Sequence, residues 1–368
     1  MRIAVAGMVA GDAGQGGAIW AVLQYVLGLR ALGHHVLLIE EVADDRFDGA
    51  APRLRAVARE FGLGRVVLVG RPSGRVAGCS RASLRRALVG ADLLLNLSGI
   101  LRDEDLLERP ALRAYVDLDP AFTQLWHAGG VDMGFDRHER LITIATRLGA
   151  DDCLVPTCGR DWIRTLQPLY LPAWPKPMGD SPSSDLTTVG HWRSYGSVEH
   201  EGVHYGQKAH ALRRLLDLPA RTGARFRIAL GIHPDEREDL DALTRHGWEL
   251  ADPAAVAHTP RAYADFIRAS WAEFGVAKSG YVASRCGWFS DRSICYLASG
   301  RPVIAHDTGF GDWIPTGEGV IPFRDAGDVA AAIESLRGHY ARHSRTARGI
   351  AEGVFRSDRV LGRLLACL

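Results

Sequence analysis

The feature that most constrains this chain is an alternation of short apolar strands with amphipathic helices, run through twice. The segments RIAVAGMV, HHVLLIEEV, RVVLVG, ADLLLNLSG, RAYVDLDP and LITIAT are rich in aliphatic residues over strand-like lengths. Between them lie helical patterns: GAIWAVLQYVLGLRALG, closed by Gly33; PRLRAVAREFG, with a proline at its start; and a helix around SLRRALVG. Strands that are apolar throughout, alternating with helices, make βαβ units and a parallel sheet covered on both faces. The stretch LPAWPKPMGDSPSSD, residues 171–185, has no periodicity and reads as a linker. The alternation then restarts with DLTTVGHW, RFRIALGI, AEFGVAK and PVIAHDT as strands. GQKAHALRRLLDLP, DEREDLDALTRHG and TPRAYADFIRAS are the helices between them, and from Ala326 onward only helical pattern remains. A chain of 368 residues suits two cores better than one. The expected layout is two doubly wound α/β domains, residues 1–175 and 176–340, with a helical tail, 341–368, packing back on the first. Ligands of such sheets bind beyond the carboxyl ends of the strands, so residues there are the functional candidates.

The bulk numbers exclude other classes. A formal net charge of +1 argues against a dedicated nucleic-acid binder, which carries a basic excess. The six cysteines are scattered, with no CxxC pair and no zinc-site spacing, as in a reduced cytosolic protein. MRIAVAGMVAGDAG turns to Gly and Asp too early for a signal peptide, and AIWAVLQYVLGL is too short to span a bilayer. A cytoplasmic protein is expected. Lysine occurs only at 176, 208 and 278.

SRCGWFSDRSICYLASGRPVIAHDTGFGDWIP, residues 284–315, is the densest stretch. A helix from Asp291 to Ala298 would be capped by Ser290 and stopped by Gly300 and Pro302. Asp291 suits its first turn, but Arg292 faces the positive end of the helix dipole, at a cost of a few tenths of a kcal/mol. An anion held by the first-turn N–H groups, with Ser290, Asp291, Arg292 and Ser293 around it, would reverse that sign; a guanidinium in solvent or paired to a distant acid is the alternative. From Leu297 to Phe323, a small-residue-Gly turn at Ser299-Gly300, the strand Pro302-Val303-Ile304, the loop from Asp307-Thr308-Gly309 to Pro315 and the strand Gly319-Val320-Ile321 follow one another. This succession resembles the donor-binding half of the GT-B glycosyltransferases of the group 1 type. The resemblance implies two Rossmann-like domains facing across a cleft, a nucleotide-diphosphate sugar as donor substrate, no obligatory cofactor or metal, and a small-molecule or glycan acceptor. Retaining members carry two glutamates eight positions apart here; those positions are Gly287 and Cys295 in this chain.

Other candidates lie at strand ends. The loop GDAGQGG, with Gly16 and Gly17, opens a helix and could admit a phosphate. Its spacing is not GxGxxG, yet with Glu40 at the end of the next strand it leaves an NAD-dependent oxidoreductase as an alternative. A GT-B-shaped nucleotide-binding protein without transfer activity is a third reading. Asp119 in YVDLDPAF reads as a helix cap, as part of a metal-binding DxD with Asp117, or as a cleft base. His127 in QLWHAGG is a second base candidate. Gly190 and Arg193 in VGHWRSYG, with Lys208 and Lys278, are expected to contact donor phosphate. Trp192, Tyr195, Tyr205 and Trp288 could stack a base or sugar.

Overall fold

The computed structural model describes residues 1–175 and 183–368. Strands β1 (Arg2–Ala6), β2 (His35–Ala43), β3 (Arg65–Arg71), β4 (Val76–Ala77), β5 (Leu93–Leu97), β6 (Arg113–Asp117), β7 (Arg140–Thr143) and β8 (Trp162–Arg164) form one sheet. Its order is β4-β3-β2-β1-β5-β6-β7-β8, parallel except for the β3–β4 hairpin. Central strands such as β5, Leu-Leu-Leu-Asn-Leu, are buried at every residue, because helices cover both faces. Helix α1 (Gly16–Ala31) follows β1, and the short α2 (Phe122–Ala128) follows β6.

The second half repeats the plan. Strands β9 (Asp185–His191), β10 (Val198–His200), β11 (Val203–Tyr205), β12 (Arg225–Gly231), β13 (Glu249–Leu250), β14 (Ala272–Gly275), β15 (Val303–His306) and β16 (Val320–Phe323) follow in sequence. Six of them form a parallel sheet ordered β13-β12-β9-β14-β15-β16, while β10 and β11 pair as a separate antiparallel hairpin. In both sheets the strand order reverses beside the first strand, between β1 and β5 and between β9 and β14, the Rossmann arrangement that opens a crevice at that point. Helices α3 (Lys208–Leu212), α4 (Pro260–Ala269) and α5 (Asp291–Ala298) belong to this domain.

The helical pattern from Ala326 onward folds as one long bent helix and a shorter one joined by a π-helical turn. Helix α6 (Ala326–Ile350) runs through position 341, bent at His339 (φ −139°); a π-helical turn, Ala351–Phe355, and α7 (Ser357–Ala366) follow. The Leu169 N–H donates to the Phe355 carbonyl (2.7 Å) and Ser357 N–H to the Leu169 carbonyl (2.9 Å), and α7 lies against α1. The helix expected to start at Pro52 starts at Asp44 and carries Pro52 inside, running to Glu60. Of the proline-rich stretch 171–185, Trp174 is fully buried and packs on Trp20, 4.8 Å between ring centroids; residues 176–182 of the expected linker lie outside the described residues. Among the described residues no helix is long and apolar enough to cross a membrane.

Candidate active site

The two crevices face each other across one cleft of about 450 Å³. Met8, Ser98 and Leu118 come from the carboxyl ends of β1, β5 and β6; Gly190 and His191 end β9 and Lys278 follows β14; Lys208 opens α3, and Ser290, Asp291 and Arg292 open α5.

The floor is built around Gly190. A Cβ there would lie 3.1 Å from Lys208 Nζ and 3.6 Å from Arg292 Nη1, so glycine lets two cations converge on the backbone. Arg292 is not the free guanidinium that the helix-dipole argument favours. It is buried, its Nε donates to Glu273 Oε1 (2.6 Å) and its Nη1 to the Val189 carbonyl (2.8 Å). Burial works against the guanidinium, but Glu273 outweighs it and holds the arginine pKa above its usual range. The paired-acid alternative is therefore what the fold adopts, although Arg292 still lines the cleft. Lys208 differs: it is 8% exposed and has no carboxylate partner among the described residues. Burial, and then the Arg292 charge, push its ammonium well below the usual lysine range. Ser290 caps α5 as expected, accepting the Arg292 N–H at 3.2 Å.

The third cation, Lys278, reaches the opposite wall. Its ammonium donates to both Asp119 oxygens (3.0 and 3.1 Å) and sits over the rings of Tyr195, Phe122 and Tyr281. Tyr195 and Tyr281 hydroxyls also donate to Asp119. This corrects the expectations for Asp119. Helix α2 begins beyond it, behind Ala121 (φ 69°), so Asp119 is no cap. With three donors on its two oxygens, it bridges the domains and offers no free lone pair aimed at an acceptor. Asp117 is likewise engaged by Gln124 (2.8 Å) and Thr143 (2.7 Å), and burial pushes its carboxyl up to about 6. The two acids do not form a metal pair, and no group of three or more potential ligands gathers among the described residues.

Several other candidates do not join the cleft. His127 packs on Phe135, 4.5 Å between centroids, because α2 turns its end toward the β6 side of the first domain. Arg193 pairs with Glu236. Ser293 is buried beneath α5. Asp307 pairs with Arg324 (3.0 Å), Thr308 Oγ1 donates to the Trp288 carbonyl, and a Cβ on Gly309 would strike Arg147 of the first domain at 2.5 Å, so this loop braces the Trp288 turn. Gly16 abuts the second domain: a Cβ would meet the Thr259 carbonyl at 2.4 Å and that of Ala257 at 2.8 Å, and Gly17 lies under the Tyr263 ring. The close approach those glycines permit is to protein. Glu40 accepts the Ala10 and Gly11 N–H groups, both at 2.7 Å, and fixes the loop. Of the aromatic group only Trp288 lines the cleft, stacked on Tyr281 (4.4 Å); Trp192 donates to buried Asp239, and Tyr205 to the Leu154 carbonyl.

Glu273, Tyr281 and Ser98 were not among the sequence candidates. Glu273 had a signal: it is the one acid inside the strand segment AEFGVAK, and a buried parallel strand carries an acid only with a partner.

No protein-family model matches this chain, and no curated protein matches it in sequence. Solved structures share its fold over its whole length. Anabaena Alr3699/HepE, solved with UDP and glucose, has a TM-score of 0.61 at 12% identity, with all of both chains covered. AviGT4, a glycosyltransferase of avilamycin A biosynthesis, has 0.58 at 14%, covering all of this chain and 96% of its own. An alpha-glucosyltransferase, solved with UDP and a 13-mer DNA, has 0.63 at 11%, covering all of this chain and 98% of its own. The chain has the GT-B fold of these glycosyltransferases.

Proposed function

We propose that the protein transfers a sugar from a nucleoside-diphosphate donor to an acceptor hydroxyl, in the cytoplasm. The observation that carries this reading is Lys208: a buried ammonium with no ion-paired carboxylate among the described residues, converging with Arg292 on Gly190. Two neighbouring cations in a poorly hydrated site repel each other, and a diphosphate relieves that. The first-turn N–H groups of α5 add donors with the right dipole. The second domain then binds the donor, and the first, through Met8, Ser98 and Ile100, receives the acceptor. When the acceptor oxygen attacks the anomeric carbon, the bond to the diphosphate breaks with its electron pair, negative charge grows on the leaving oxygen, and the acceptor's proton passes to that oxygen or to solvent. Lys208, the outer edge of Arg292 and the α5 N–H groups are already aimed there, and such preorganised stabilisation supplies most of the acceleration. The structural neighbours that hold UDP support the same reading.

The DNA in one neighbour's structure belongs to that protein; a net charge of +1 gives this chain no basic excess for such an acceptor, and a small molecule or glycan is the partner proposed. The NAD reading is disfavoured because Glu40 spends its oxygens on the loop and Gly16 on the Thr259 carbonyl. The test is to incubate the protein with nucleotide sugars and follow release of nucleoside diphosphate, with and without acceptor mixtures. Release by wild type that is lost in Lys208→Ala supports the proposal. Absence of release together with binding of NAD overturns it.

A further inference from the structure

Behind the cleft lies a smaller chamber of about 80 Å³, between α1, the ends of β6 and β7, and α5. It shares Ala21, Leu118 and Asp291 with the cleft, so the two spaces adjoin through those residues. Its walls are mostly apolar, from Trp20, Leu118, Ile144 and Ile294. Two lining side chains are polar, almost fully buried and unsatisfied: Gln24 Nε2 and Tyr25 Oη have no hydrogen-bond partner among the described residues. The Gln24 amide is not free to flip, because its Oε1 already accepts the Tyr170 N–H at 2.6 Å. Its NH₂ is therefore committed to the other side, where the Cys295 sulfur is at most a weak acceptor for one of its two N–H groups. Asp291 stands at the junction with the cleft, close enough to the Tyr25 phenol for its charge to be felt there.

Buried donors without acceptors are rare in native proteins and point to a missing partner. The space is several times what one water needs, yet smaller than a cavity that takes a benzene ring. It suits a substituent, not a sugar ring. Two unsatisfied donors ask for an acceptor oxygen, Asp291 at the mouth asks for an N–H or O–H, and the apolar walls ask for a small hydrocarbon piece. An acylamino group has all three. Resting on the donor reading above, the group bonded to the terminal phosphate at the α5 N-terminus would lie over Ala21 and Leu118, at the chamber mouth. We propose that the chamber receives an acylamino substituent of the transferred sugar, its carbonyl accepting from Gln24 and Tyr25 and its N–H donating to Asp291, and so selects N-acylhexosamine donors over plain hexose donors.

The test is calorimetric titration of the full chain with UDP, UDP-glucose and UDP-N-acetylglucosamine, for wild type, Gln24→Leu and Tyr25→Phe. Wild type should prefer the acylamino donor by roughly tenfold or more, the effect of one or two hydrogen bonds. Each variant should lose most of that preference and keep its affinity for UDP itself. Tyr25→Phe removes only the hydroxyl, and so reports even if Gln24→Leu, which also strips the Tyr170 N–H of its acceptor, does not fold. Equal or tighter binding of UDP-glucose by wild type, or a preference unmoved in the variants, overturns the inference while leaving the donor reading intact. Failure to bind UDP or any other nucleoside diphosphate overturns the donor reading, and this inference with it.

Discussion

Lys208 is the residue on which the proposed chemistry turns. Its pKa is held below the ordinary lysine range by burial and by Arg292; a bound diphosphate would pull it back up. Binding should therefore take up protons in the pH range where the free protein's Lys208 is losing its charge, and affinity should fall as pH rises through that range, earlier than for an exposed lysine. Titrations in buffers of different ionisation enthalpy measure the uptake; proton release on binding would contradict it. Arg292 behaves oppositely. Because it neutralises the fully buried Glu273, whose Oε2 has no hydrogen-bond partner among the described residues, Arg292→Ala should cost about 3–5 kcal/mol of stability in urea unfolding, the cost of an unpaired buried carboxylate. The sequence carried half of this: Arg292 against the helix dipole announced an anion. Which anion depends on how β14 lies beside α5, a tertiary fact no local pattern contains. Asp119 was legible as a cleft residue because it lies just beyond the carboxyl end of a strand, but its engagement with Lys278 was not.

At the scale of elements, the parallel strands could be read because burial on both faces leaves them apolar throughout. The β10–β11 hairpin could not. Its residues, VEHEGVHY from 198 to 205, are largely polar, and it packs on α2 of the other domain and on the helix Ser279–Ser284 of its own. The glycine loop was recognised as a close-approach element, but its partner was misjudged as phosphate. Gly16→Val should drive a side chain into the Thr259 and Ala257 carbonyls, backbone atoms that cannot move aside locally. Overpacking of this kind costs about 1–3 kcal/mol, which thermal unfolding would register; an unchanged midpoint would mean that the loop stands free of α4. The helical pattern beyond Ala326 was legible, but the bend of α6 at His339 was not, because the apolar periodicity runs through it.

For the molecule as a whole, the two domains meet through more than the cleft. Trp20 Nε1 donates to the Pro260 carbonyl (2.8 Å), Thr146 to that of Gly287 (2.9 Å), and Lys278 holds Asp119 inside its aromatic cage. These ties set the spacing at which donor and acceptor would meet. A double-mutant cycle with Asp119→Asn and Lys278→Met should return a coupling of about 1 kcal/mol or more, since the pair is largely shielded and shares its partners; additive effects would show that the bridge does not hold the domains together. The central claim is that the cleft floor binds a nucleoside diphosphate through Lys208. Its most direct test is calorimetric titration of nucleoside diphosphates into wild type, Lys208→Met and, as a control outside the cleft, Arg193→Met. A charge-assisted contact is worth about 1.5–3 kcal/mol, so Lys208→Met should bind roughly ten- to a hundredfold more weakly while Arg193→Met binds like wild type. Equal affinity in wild type and Lys208→Met would contradict the account.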